Sequence, residues 1–150
     1  MPSFSNLLRA TVIASAVAVT PLHAQEAVDV DALITEVEAG CAADSGSCAA
    51  IMRTALTRLR AAGVTLPPAT LNAQIAAVVT RVAAVALNLP VAQRAGISAA
   101  VRVAADPEVG FTGAAEEIAT QLAAVEAVAS SIEAGGDVPP EIVAQLGSAA

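Results

Sequence analysis

The chain has no lysine, tyrosine or tryptophan, one histidine, two cysteines and two phenylalanines in 150 residues. Each shortage removes a chemistry. Without lysine there is no Schiff-base nucleophile, and without tyrosine no phenolic acid. The one histidine, His23, falls inside what reads as an export leader. The mature part therefore has no imidazole base, no neutral-pH switch and no histidine ligand for zinc. A serine nucleophile would need a carboxylate as its base, and no Gly-x-Ser-x-Gly occurs. No glycine-rich phosphate loop is present either. Phe111 is the one aromatic residue after the leader, and the net charge is −7. Nucleic acid needs a dominant basic patch or stacking platforms, so it is not an expected partner. These absences point away from an enzyme, and no cofactor or metal site is expected. The densest acids, Asp106, Glu108, Glu116 and Glu117, fit no calcium-loop spacing.

What is present is small and aliphatic: 39 residues are alanine and 56% are hydrophobic. Abundant alanine with valine, leucine and isoleucine favours closely packed helices over a sheet. The N-terminus has the three parts of a secretory signal: a polar stretch with Arg9, an apolar run from Ala10 to Val19, and Pro21-Leu22-His23-Ala24 ahead of Gln25. Cleavage is expected after Ala24, since the apolar run is shorter than the roughly 20 residues that span a bilayer. That assigns residues 1–24 to the signal peptide and 25–150 to a single all-α domain, periplasmic or secreted. Cys41 and Cys48 are then expected to pair in an oxidising compartment. Their spacing is not Cys-x-x-Cys and no cationic neighbour would lower a thiol pKa, so the bond reads as a staple across a helix hairpin.

The helical pattern predicts a bundle of five to six helices. Asp29 caps a first helix to about Ala39, with Gly40 as its left-handed stop. Ser47 caps a second to about Ala62. In the third, Leu71, Ile75, Val78, Val82, Val85 and Leu89 recur at steps of four and three, a heptad-like seam. Pro90 breaks it, and a fourth helix covers about Val91 to Ala105. Asp106 to Gly113 is a linker whose Phe111 plugs the end of the core. A fifth helix is expected over Ala114 to Glu133, with Glu116 and Glu117 in its first turn, and a last one from Pro140 to about Gly147. Two corners share one form, Ala62-Gly63-Val64-Thr65-Leu66-Pro67-Pro68 and Ala134-Gly135-Gly136-Asp137-Val138-Pro139-Pro140. Each spells a helix stop, where glycine is expected to supply a positive backbone angle, then an extended step and a helix start. The apolar stretch Val78 to Ala92 is interrupted by Arg81 and Asn88, which favours core burial over membrane insertion.

The charges are strictly ordered. Gln25 to Asp44 carries six acids and no base; Ser45 to Ala105 carries six arginines and no acid; Asp106 to the end carries eight acids and no base. Six arginines against fourteen acids leave the mature chain at −8. No helix can then hold an internal ion pair, so every salt bridge must cross between elements. Two readings follow. In one, the acidic segments flank the arginine-bearing helices and select the packing order. In the other, Arg53 with Arg60, and Arg94 with Arg102, form exposed faces that hold an anion or an acidic partner. The function expected from sequence is an exported, non-catalytic structural or protein-interaction role, with self-association along the third or fifth helix. The alternative is a periplasmic binder of a small anionic or apolar ligand oriented by arginines. Mass spectrometry of the exported protein should find Gln25 at its N-terminus; retention of Met1 would contradict the leader.

Overall fold

The computed structural model describes residues 27–148, and the leader expected over 1–24 lies outside them. Six α-helices and no strand occur among the described residues. Asp29 opens α1 (Val30–Ala43), its carboxylate accepting from the backbone N–H groups of Asp31 and Ala32 at 3.0 and 3.1 Å. This satisfies donors that a helix start leaves free. One 3₁₀ turn over Ser45–Ser47 leads into α2 (Cys48–Ala62), and the corner after it leads into α3 (Pro68–Val85). After Pro90, α4 (Arg94–Arg102) is extended at both ends by 3₁₀ turns over Val91–Gln93 and Val103–Ala105, so helical structure covers the expected 91–105. The linker then leads to α5 (Ala119–Glu133) and α6 (Pro140–Leu146).

The seam of α3 sets the architecture. Leu71, Ile75, Val78, Val82 and Val85 are all buried, and so are Ala76, Val79 and Ala83 on adjoining faces. That width of apolar surface lets α3 touch each of the other five helices. A stretch from Pro68 to Asn88 is long and apolar enough to cross a membrane, but here its apolar side chains are the centre of the core. Leu89 adopts an extended backbone, φ −108° and ψ 146°, as a residue before proline must. Phe111, 2% exposed, closes the end of this core as expected. The remaining core is Leu, Ile, Val, Met and Ala from α1, α2, α4 and α5, with Leu146 contributed by α6.

The disulfide joins Cys41 in the last turn of α1 to Cys48 at the start of α2, and both are fully buried. Closing so short a loop stabilises by about 2 to 3 kcal/mol on the chain-entropy account.

Several local expectations need correction. Gly40 does not stop α1, which runs on to Ala43. Gly63 does not take the left-handed conformation either, with φ −85°. Both glycines are contact points: a Cβ on Gly40 would stand 2.9 Å from Ile51 Cδ1, and one on Gly63 would stand 2.8 Å from Leu71 Cδ1. Of the two matching corners, the second alone uses left-handed glycine, Gly135 at φ 73°. Ser47 does not cap α2; its hydroxyl donates to Asp44, whose carboxylate caps the preceding turn through Gly46 N–H at 3.0 Å. Finally, α5 starts at Ala119, not Ala114. Glu117 reaches back to accept from Ala114 N–H at 3.0 Å, closing a separate turn that holds Glu116 and Glu117 outside the helix.

The cysteine turn is also the seat of α4. A Cβ on Gly96 would lie 1.9 Å from the carbonyl oxygen of Ser45. Gly96→Ala should therefore lower unfolding stability by about 1 to 3 kcal/mol in urea titrations. Gly136→Ala, where the nearest atom is 3.7 Å away, should change it by less than about 0.5 kcal/mol. Equal effects at the two positions would contradict this seating.

Candidate functional site

Each of the four arginines singled out from spacing is turned onto the chain itself. Arg53 and Arg60, on α2, converge on the linker. Arg53 Nη1 donates to Asp106 Oδ2 at 2.8 Å, and Arg60 Nη1 donates to the carbonyls of Pro107 at 3.0 Å and Gly110 at 3.3 Å. The same linker is tied to the end of the fourth helical segment by Phe111 N–H donating to Ala104 O at 2.9 Å. Arg94 and Arg102 are not brought to a shared target. Arg94 Nε donates to Leu89 O at 3.1 Å, satisfying a carbonyl released where Pro90 breaks the helix. Arg102 forks across to α5. Its Nε and Nη2 meet the two carboxylate oxygens of Glu126 at 3.0 and 2.9 Å, and its Nη1 donates to Glu133 and to Ser98 Oγ.

The two other arginines complete the pattern. Arg58 pairs with Glu36 at 2.9 Å and Arg81 with Glu38 at 2.9 Å, both on α1. The first acidic block thus receives Arg58 and Arg81, and the last receives Arg53 and Arg102. Among the described residues every ion pair joins different elements, as the ordering of charge requires. Most of these side chains are half exposed, so each isolated pair contributes only about 0 to 1 kcal/mol.

Electrostatics follow from these contacts. Asp106 is held below the ordinary carboxylate range, first by the N–H of Glu108 and then by Arg53. Glu126 and Glu133 are lowered chiefly by hydrogen bonds from Arg102, whose own pKa is raised by the same two carboxylates. Asp44 is lowered chiefly by the Ser47 hydroxyl.

Two open grooves border arginines. One of about 540 Å³ lies between α1 and α3 at Arg81, and one of about 470 Å³ lies beside α1 at Arg58. Both guanidiniums already face carboxylates there. None of the four arginines proposed from sequence lines either groove. Spacing could not reveal these internal targets, because carbonyl acceptors at Leu89, Pro107 and Gly110 leave no sign in side-chain identity. Among the described residues no group of three or more His, Cys, Asp or Glu is placed to hold a metal ion.

Four large apolar side chains are exposed as well. Val64 and Leu66 are 75% and 36% exposed in the corner before α3, and Leu87 and Val91 are 54% and 58% exposed around the break after it. The apolar residues Leu71, Ile75, Val78, Val82 and Val85 of α3, and Val125, Ala129 and Ile132 of α5, lie in the core.

Neither a known family, nor a curated protein, nor a solved structure matches this chain.

The lowered carboxylates set a pH dependence. A group whose native pKa is depressed stabilises the fold fully above its unfolded value, and that stability is lost as pH falls through the native value. Melting temperature should hold level from neutral pH to about pH 5 and fall below about pH 4. Arg102→Met should shrink the acid-induced fall, because Glu126 and Glu133 lose the partner that lowers them. An acid limb of unchanged size in that variant would contradict the assignment.

Proposed function

We propose that the mature chain is an exported, non-catalytic helical protein whose role is to bind other protein surfaces, its own copies included. The observation that carries this reading is the commitment of all six arginines of the mature part to acceptors within the chain. Recognition then falls to an acidic surface with two apolar corners, one at each end of α3. Isolated exposed aliphatics are ordinary on any protein, but paired ones in short corners are the kind of anchor a partner can cover. The buried disulfide is consistent with an oxidising, exported environment. The lack of lysine, tyrosine, tryptophan and mature histidine supports a non-catalytic role.

The second reading, a periplasmic carrier of a small anionic or apolar ligand oriented by arginines, draws support from the apolar side alone. A cleft of about 400 Å³ lies over Phe111, and no arginine lines it.

Protein purified from its native exported fraction should give a light-scattering mass above that of one chain, from copies or from a bound partner. Leu87→Ser with Val91→Ser, or Val64→Ser with Leu66→Ser, should reduce that mass while leaving the melting temperature within about 2 °C. A mass of one chain, with no associated protein, would contradict the interaction reading.

A further inference from the structure

We propose that copies of this chain join end to end, the corner after α3 of one copy seating on the corner before α3 of the next. The proposal rests on the protein-binding reading and adds the partner, its orientation and the residue that selects it. That residue is Arg94. Its Nε donates to Leu89 O at 3.1 Å, and among the described residues nothing accepts from its Nη1 or Nη2. Arg53, Arg58, Arg81 and Arg102 each face a carboxylate, and the charge of Arg60 is felt at Asp106 beside Arg53. Among the described residues Arg94 has no such partner, and Asp137 in the neighbouring corner forms no ion pair with it.

This guanidinium is set among exposed aliphatics. Leu89, whose carbonyl holds it, stands midway in sequence between the exposed Leu87 and Val91, and two residues of chain reach no more than about 7 Å. Val91 is braced from behind, since a Cβ on Gly135 would stand 3.2 Å from its Cγ2. A guanidinium held by one nitrogen presents its two terminal nitrogens in a fixed orientation. Less freedom is then lost when a carboxylate meets that edge.

The other end of α3 offers the counterpart. Val64 and Leu66 are exposed there, and Leu66 shares a groove of about 310 Å³ with Val28. Val28 is followed by the exposed Asp29, whose Oδ1 caps α1 and whose Oδ2 has no partner among the described residues. Arg58, the cation nearest in that region, already faces Glu36. The helical stretch Pro68–Asn88 has 21 residues, about 30 Å, so the two corners stand far apart. A two-fold pairing through either corner would set Arg94 against Arg94, or Asp29 against Asp29. Head-to-tail contact instead sets a carboxylate on the unoccupied edge of Arg94 and aliphatics on aliphatics. One corner of each kind stays open at the ends, so the assembly grows until it closes into a ring or continues as a filament. The mature charge of −8 opposes association, which makes the contact weak and concentration-dependent.

The test uses the disulfide-bonded mature protein and two variants, each with one corner altered. Arg94→Glu with Leu87→Ser alters the corner after α3, and Val64→Ser with Leu66→Ser alters the corner before it. Light scattering of the unaltered protein should show a mass that rises with concentration past two chains. Each variant alone should stay at one chain, while an equimolar mixture should give a complex of two, joined through the one intact corner on each. Asp29→Asn, which keeps a capping side chain, should weaken association of the otherwise unaltered protein about twofold to fivefold. Melting temperature checks that each variant keeps the fold. A mixture that stays at one chain while the unaltered protein associates, a two-chain species of either variant alone, or unchanged association in Asp29→Asn would overturn the end-to-end contact. An unaltered protein of one chain at every concentration would overturn it as well. A different protein bound in the native exported fraction would in that case leave the protein-binding role standing.

Discussion

The structure depends on one constraint, the separation of acids and arginines into three successive blocks. Because no helix contains both signs, a guanidinium can find a carboxylate only on another element. The result is a bundle whose basic middle is held between its acidic ends. Arg58 and Arg81 draw α2 and α3 against α1, Arg53 draws the linker onto α2, and Arg102 fixes α4 on α5. The aliphatic core stabilises any compact arrangement of such helices; the charge order favours this one. Alanine and glycine make the arrangement tight, with Gly40 under Ile51 and Gly96 against the Ser45 carbonyl.

Much of this was legible in residue order. The seam of α3, the Asp29 cap, the Pro67-Pro68 and Pro139-Pro140 starts, the disulfide and the burial of Phe111 each follow from local rules, and the structure agrees with all of them. The glycines were misread for a physical reason. A glycine near a helix end can serve the backbone or a neighbour, and only the position of Ile51 or Leu71 decides between them. Glu116 and Glu117 match a helix start, yet a side chain reaching back to Ala114 N–H closes a turn before the helix begins. Spacing located Arg53, Arg60, Arg94 and Arg102, but backbone carbonyl targets carry no sequence signal.

These observations redirect the functional question. Arginines in an acidic protein suggest anion recognition, but here each of the six among the described residues is already engaged. The charges pair across elements, and four exposed aliphatics stand at the two ends of α3.

The central claim, that the arginines serve the packing order, is tested most directly by reversing one bridge and then restoring it in mirror image. Arg102→Glu should lower unfolding stability by roughly 1 to 2 kcal/mol, two exposed pairs at about 1 kcal/mol or less each. Adding Glu126→Arg and Glu133→Arg to that variant should recover most of the loss in the same urea titration. Unchanged stability in Arg102→Glu, or a triple variant no more stable than the single one, would contradict the account.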